Sequence, residues 1–91
     1  MAREMTIELR TVSGTVERFY AFIDGAKRIV ADGTTIASWH GDVGDSTCLR
    51  VRVFGIGAAK YRLGIDLPGT ADDQELELQL DRGYGELELT L

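Results

Sequence analysis

The chain has 91 residues, of which 44% are hydrophobic and 27% charged, so it is long enough for one compact domain and too apolar to be disordered. Its formal charge of −5 lacks the excess of Lys and Arg that binds nucleic acids and anionic membrane surfaces, so we expect neither as a partner. Cys48 is the only cysteine, which excludes an intramolecular disulfide and a metal site built from several cysteines of one chain.

The first predicted element is a strand over residues 5–12. Met5, Ile7 and Leu9 alternate there with polar and charged side chains. A period of two is typical of a strand with one face on a core and the other in water.

Residues 15–33 allow two interpretations. Several large apolar side chains recur near helical spacing, which would suit an amphipathic helix. Asp-Gly at 24–25 and again at 32–33 favours strands instead, because Gly weakens a helix interior and Asp-Gly is typical of two-residue hairpin turns. We therefore predict a meander of strands 15–23, 26–31 and 34–40, followed by a loop over 41–46.

The predicted meander has large apolar side chains on both faces. In the register that the two turns impose, one face carries Phe19, Ala21, Ile23, Val30 and Trp39, and the other carries Tyr20, Phe22, Ile29 and Ile36. A two-layer sandwich buries one face of each sheet, so we assign the first set to the core. The second set, with Arg18 and Lys27 beside it, is then an exposed patch of the kind that marks an interface. A register slip of one residue would exchange the two sets.

Two strictly alternating runs follow, at 48–53 and 60–67. Leu49, Val51 and Val53 alternate in the first with two arginines, and the second places Tyr61 and Leu63 on its apolar side. We predict a hairpin with its loop at 54–59 and place it at the centre of the domain.

Two leucine ladders end the chain, and we predict them to be buried strands joined by a turn at 82–85. Their members are Leu76, Leu78 and Leu80, then Leu87, Leu89 and Leu91. Glutamates occupy the alternate positions, and eight of the fifteen acidic residues lie after residue 65. We expect these acids to lie beside the arginine-bearing middle strands, since opposite charges on neighbouring strands stabilise a sheet.

Eight short candidate strands predict an all-β domain, a small antiparallel β-sandwich, with a small β-barrel as the alternative. The strand-turn-strand pattern over 22–30 and the tyrosine-bearing entry to a strand over 57–63 resemble immunoglobulin-like sandwich modules at the level of architecture. The Cys…Trp…Cys framework of those modules is absent, and one strand is extra. The resemblance implies a sandwich and nothing about ligand or activity.

Polar side chains in the loops are the candidates for a catalytic or metal-binding site. His40 could act with Asp42 or Asp45, and loop aspartates could hold Ca²⁺. The aspartates are Asp42, Asp45, Asp66, Asp72 and Asp73. His40 is the only histidine, and no candidate nucleophile accompanies it at a suitable spacing. The signature of a calcium-binding loop is missing. Glutamates that alternate with leucine are typical of a solvated strand face. We predict no catalytic residue, no structural metal and no cofactor.

No apolar run reaches the roughly 18 residues of a membrane span, and the N-terminal residues lack the apolar segment of a signal peptide. We therefore expect either a cytoplasmic protein or one whose leader has been removed, with Met1 favouring the first, and a single domain over residues 1–91.

These patterns predict a non-enzymatic interaction module that self-associates or docks on a partner protein. Its contact residues would be the second meander face and its flanking bases, namely Arg18, Tyr20, Phe22, Lys27, Ile29 and Ile36. A wider aromatic group, with Trp39 and Tyr84, would also suit sugar stacking. The alternative is therefore a small carbohydrate-binding, lectin-like module with or without Ca²⁺.

Overall fold

The computed structural model describes residues 3–33, 35–67 and 74–91, and these form strands without any helix. The strands are β1 (Arg3–Ser13), β2 (Val16–Ile23), β3 (Ala26–Asp32), β4 (Ile36–Val43), β5 (Cys48–Gly55), β6 (Lys60–Asp66), β7 (Gln74–Gln79) and β8 (Tyr84–Thr90). The all-β prediction is confirmed, and residues 16–32 are strands rather than a helix. Within these residues no helix of a length and apolarity suited to crossing a membrane is found.

The strands form two antiparallel sheets of four. Sheet A has the order β4-β1-β6-β7, and sheet B has the order β3-β2-β5-β8. The sheets pack into a small β-sandwich, as predicted. In immunoglobulin constant domains the first and second strands share one sheet, whereas β1 and β2 belong to different sheets here.

The core lies between the sheets and is built by the alternating apolar side chains of the central strands. Its members include Met5, Ile7 and Leu9 of β1, Phe19 and Ala21 of β2, Leu49, Val51 and Val53 of β5, and Tyr61, Leu63 and Ile65 of β6. In β1, β5 and β6 these side chains alternate mainly with polar or charged neighbours that face outward, whereas in β2 the outward neighbours include Tyr20 and Phe22. The predicted inward faces of β1, β5 and β6 are confirmed.

Three of the predicted hairpins are wrong. β3 and β4, β5 and β6, and β7 and β8 are consecutive pairs whose members lie in opposite sheets. Alternation shows which face of a strand is buried but not which strand lies beside it, and a connection of several residues can cross the roughly 10 Å between sheets. Gly41 and Asp42, assigned to a loop from the sequence, lie within β4, which continues to the buried Val43.

The hairpin of β2 and β3 is present, but its register changes after the turn. Asp24 and Gly25 both have positive φ angles, 50° and 83°, as the tight turn requires. Phe22 pairs with Lys27, as a two-residue turn at 24–25 requires, and the next pair is Ala21 with Ile29. The register shift between these pairs is a β-bulge that takes in one extra residue of β3.

The bulge exchanges the predicted faces of β3. Ile29, predicted to be a contact residue, is 4% exposed and belongs to the core. Val30, predicted to be a core residue, is 63% exposed. Ile36 is also misplaced in the prediction, because it lies in β4 and therefore in sheet A.

The leucine ladders face inward, but they are less buried than predicted. Leu80 is fully buried, whereas the other ladder leucines are partly buried and pack against the core. The cause is their position: β7 and β8 are the edge strands of their sheets, so solvent reaches one side of each.

Candidate interaction surface

The outer face of sheet B is a grid of three rows that run across four strands, and we call it the aromatic face. From β3 to β8, the first row is Asp32, Arg18, Phe54 and Tyr84, the middle row is Val30, Tyr20, Arg52 and Glu86, and the last row is Lys27, Phe22, Arg50 and Glu88. Residues paired in this way have side chains on the same side of the sheet. The strand register therefore places four aromatic rings among four bases and three acids.

The aromatic rings of the first two rows touch one another. The ring centroids of Tyr20 and Phe54 lie 5.8 Å apart with planes at 82°, and those of Phe54 and Tyr84 lie 5.1 Å apart. Phe54 and Tyr84 are 37% and 38% exposed. These contacts hold the rings as one continuous apolar ridge across three strands while leaving part of the ridge open to solvent.

Cations lie over two of the rings. Lys27 Nζ is 5.5 Å from the ring centroid of Tyr20 and 5.7 Å from that of Phe22. The guanidinium of Arg52 lies 5.8 Å from the ring centroid of Phe22. Such cation–π contacts fix the positions of the long basic side chains over the rings.

The acids of β8 pair with the arginines of β5. Arg50 Nη2 donates to Glu88 Oε2 at 2.9 Å, and Arg52 Nε lies 3.7 Å from Glu86 Oε2. The hydrogen bond and charge of Arg50 lower the pKa of Glu88. These pairs confirm that an acidic C-terminal strand lies beside an arginine-bearing strand. They also leave the aromatic face close to neutral, although the chain has a formal charge of −5.

A hollow of about 340 Å³ opens at the turn end of the aromatic face. It is lined by Phe22, Gly25, Cys48, Arg50 and Arg52. Burial and the neighbouring Glu88 raise the pKa of the Cys48 thiol. A thiol whose pKa is raised is a poor nucleophile at neutral pH, so the hollow suits binding better than covalent chemistry.

Four of the six predicted contact residues lie together on this face: Arg18, Tyr20, Phe22 and Lys27. The other two do not, since Ile29 is in the core and Ile36 is on the opposite sheet. Phe54 and Val30 were missed. The glycines that follow Phe54 favour a loop, although Phe54 continues the alternation of Arg50 and Arg52. The exposure of Val30 depends on the bulge in β3.

The outer face of sheet A has a different composition. Alternation places there Glu4, Thr6, Glu8 and Arg10 of β1, Ser38, His40 and Asp42 of β4, Lys60, Arg62, Gly64 and Asp66 of β6, and Glu75, Glu77 and Gln79 of β7. The large apolar side chains near this face are Ile36 and Val12, at one end of the sheet. Trp39 faces inward, and the guanidinium of Arg28 lies 5.9 Å from the centroid of the Trp39 ring. Among the described residues, the exposed aromatic groups are therefore concentrated on sheet B.

His40 lies on this polar face of sheet A. Thr6 Oγ1 and His40 Nδ1 are 2.7 Å apart, and His40 Nε2 lies 3.7 Å from Glu4 Oε1. On this outer face of sheet A, Glu4 and His40 are exposed and Thr6 is partly buried. These contacts make His40 part of a cross-strand polar cluster with Thr6 and Glu4, rather than of a site with the predicted partners Asp42 or Asp45.

The aspartates considered for Ca²⁺ are dispersed. Asp42 lies in β4, Asp45 follows it in the connection to β5, and Asp66 ends β6. Asp72 and Asp73 lie outside the described residues. Within the described parts of the chain, no three His, Cys, Asp or Glu side chains come together in a way that could hold a metal ion.

No family model matches the chain, and no curated protein or solved structure is detectably similar to it.

Proposed function

We propose that the chain is a non-enzymatic protein-interaction module that binds through the aromatic face. The contrast between the two outer faces is the observation that supports this best. Sheet A has the ordinary polar surface of a solvated sheet, whereas sheet B exposes a ridge formed by Tyr20, Phe54 and Tyr84. Aromatic side chains with interleaved arginines are the typical composition of an interface centre.

The electrostatics of the face favour binding over catalysis. Glu88 is held ionised by Arg50, so it is a poor proton donor at neutral pH. The hydroxyl of Tyr84 donates to Glu86 at 2.5 Å, and this bond raises the pKa of Tyr84. Groups held in fixed protonation states serve recognition, whereas general acid–base catalysis needs a pKa near the working pH.

Carbohydrate binding is the second candidate, and the hollow beside Phe22 favours it. Its lining joins an aromatic ring to two guanidinium groups, and this combination can stack on a sugar and donate hydrogen bonds to its hydroxyls. Calcium-independent glycan binding that is lost in Phe22→Ala would favour this candidate over the first.

The test is site-specific photo-crosslinking in cells that express the full chain. A benzoylphenylalanine replaces Val30 on the aromatic face or, as the matched control, Ser38 on the outer face of sheet A. Both positions are exposed and lie on edge strands. Position 30 should give discrete protein adducts that disappear when Phe54→Ser is added, and position 38 should not. Absence of adducts at position 30, or equal adducts at both positions, would contradict the proposal.

A further inference from the structure

We infer that the partner of the aromatic face is a second copy of this chain, packed sheet B against sheet B about a two-fold axis parallel to the strands. The inference rests on the proposed function of this face and specifies its occupant. The observation behind it is the order of charged and aromatic side chains on the aromatic face. After this rotation, the side chains of one copy face complementary side chains of the other.

The two-fold axis runs parallel to the strands and lies between β2 and β5. Each row of the first copy then faces the same row of the second copy, but the strands of the second copy follow in the opposite order. β3 of one copy then faces β8 of the other, and β2 faces β5. In the last row, Lys27 meets Glu88 of the second copy, and Phe22 meets Arg50 of the second copy. The first contact pairs opposite charges and the second places a guanidinium on a ring.

The other two rows also place bases on rings, while at the margin of the middle row Val30 faces Glu86 of the second copy. In the middle row Tyr20 meets Arg52 of the second copy, and in the first row Arg18 meets Phe54 of the second copy. At the margin of the first row, the carboxylate of Asp32 faces the hydroxyl of Tyr84 of the second copy. Every base of the grid therefore meets a ring or a carboxylate, and no two like charges coincide.

The alternative face-to-face dimer has its two-fold axis across the strands, and the grid disfavours it. That rotation keeps each strand over itself and exchanges the first and last rows. The middle row then places Arg52 on Arg52 and Glu86 on Glu86 of the second copy. Like charges placed opposite each other are destabilising, so the grid selects the axis along the strands.

Lys27 gives a second argument for this occupant. Arg18, Arg50 and Arg52 have carboxylate partners within their own chain, at 2.9–3.7 Å. In residues 3–33, 35–67 and 74–91, Lys27 has ring contacts but no carboxylate partner. The second copy supplies one in Glu88, at the margin of the contact.

The size and charge of the face suit a weak, reversible dimer. Four strands about 4.8 Å wide and three rows about 7 Å deep cover roughly 400 Å² on each copy, or roughly 800 Å² on both, which is below the roughly 1,200–2,000 Å² of a standard interface and in the range of weak, transient contacts. Each copy carries a formal charge of −5, and the near-neutral aromatic face is a surface through which two copies approach with little repulsion.

The first experiment is sedimentation equilibrium of the full chain from about 10 μM to 1 mM, with circular dichroism to show that each variant is folded. The wild type should be a reversible dimer. Lys27→Glu and Glu88→Lys should each weaken dimerisation about tenfold or more, because each places like charges opposite each other twice. An equimolar mixture of the two variants should dimerise again, since both cross-copy contacts then join opposite charges. Glu77→Lys is the matched control, because Glu77 pairs with Arg62 on the outer face of sheet A.

A second experiment tests the axis. In a Cys48→Ser background, Val30→Cys and Glu86→Cys are treated with a short bismaleimide, separately and mixed. The inferred axis predicts that the mixture links Cys at 30 to Cys at 86, whereas an axis across the strands would link each variant to itself. Self-linkage of Val30→Cys without linkage in the mixture would overturn the inferred geometry.

A wild type that stays monomeric at 1 mM would overturn the inference, as would a dimer that Lys27→Glu and Glu88→Lys leave intact. These failures are distinct from failure of the proposed function. Adducts from position 30 to a different protein, with a monomeric wild type, would keep the interaction module and reject the second copy as its partner.

Discussion

The carboxylate of Asp24 accepts a hydrogen bond from the hydroxyl of Thr47 at 2.8 Å. It also accepts one from the backbone N–H of Cys48 at 2.9 Å. Thr47 is buried, and Asp24 lies in the turn between β2 and β3, so the contact ties this turn to the start of the neighbouring strand β5. The two hydrogen bonds, that of Cys48 first, lower the pKa of Asp24.

This contact predicts a specific acid dependence of stability. A carboxyl whose pKa is lowered by folding stabilises the native state at pH values above its unfolded pKa, near 4, and this contribution is lost as the pH falls below it. Asp24→Asn should therefore lower the melting temperature at pH 7, and the difference from the wild type should shrink below about pH 4. Thermal melts from pH 2.5 to 7 measure this. Glu88 titrates in both proteins, so its effect cancels, and a difference that is constant with pH would exclude Asp24 as the cause.

The bulge in β3 predicts opposite sensitivities at two adjacent positions. Ile29 packs in the core, so Ile29→Ala should cost about 2–5 kcal/mol in the free energy of unfolding. Val30 is exposed, so Val30→Ala should change it by about 0.5 kcal/mol or less. Urea unfolding of both variants is the measurement. A larger loss of unfolding free energy for Val30→Ala than for Ile29→Ala would show that β3 has no bulge and keeps the register that the turn alone predicts.

Alternation predicted the buried faces of the central strands but not their neighbours. The apolar residues of β5 are the same whether β5 pairs with β6, as predicted, or with β2 and β8, as observed. Hydrophobic periodicity is a property of one strand, whereas pairing depends on how connections run between the sheets. The sequence therefore predicts an antiparallel all-β domain, a sandwich with a barrel as the alternative, and leaves the strand order open.

The candidate surface could be predicted only in part, for a related reason. Tyr20 and Phe22 were placed correctly because both lie on β2, where alternation is unbroken at those positions. The sequence assigns Ile29 to the wrong face because the turn determines the register only as far as the bulge. No residue type at 27–29 predicts a bulge at that position. Phe54 joins the ridge through its pairing with Tyr84, which is a long-range contact.

The edge position of β7 predicts a graded effect of leucine truncation. Leu63 is fully buried in β6, so Leu63→Ala should cost about 2–5 kcal/mol. Leu78, on β7, is only partly buried, and its truncation should cost about half as much because less apolar surface is lost from the core. Urea unfolding of the two variants gives the comparison. Equal losses would mean that β7 is covered on its outer side in solution.

The last prediction concerns Gly83, at the crossing between the sheets. Its N–H donates to Gly57 O, and its carbonyl accepts from Gly55 N–H, both at 2.8 Å. Its φ angle is 81°, and a Cβ there would lie 2.5 Å from Gly55 O. A side chain at 83 is therefore opposed by both backbone conformation and space.

Gly33 separates these two causes, because its φ is 70° but no atom lies within 4 Å of a Cβ built there. Gly33→Ala should cost about 1 kcal/mol for the left-handed conformation, and Gly33→Asn less, because Asn tolerates this conformation. Gly83→Ala should cost about 2 kcal/mol or more, and Gly83→Asn should relieve little of it, since the crowding of the Gly55 carbonyl remains. Urea unfolding of the four variants measures each cost. Recovery of Gly83→Asn to the level of Gly33→Asn would show that the two loops do not approach as closely as these contacts require.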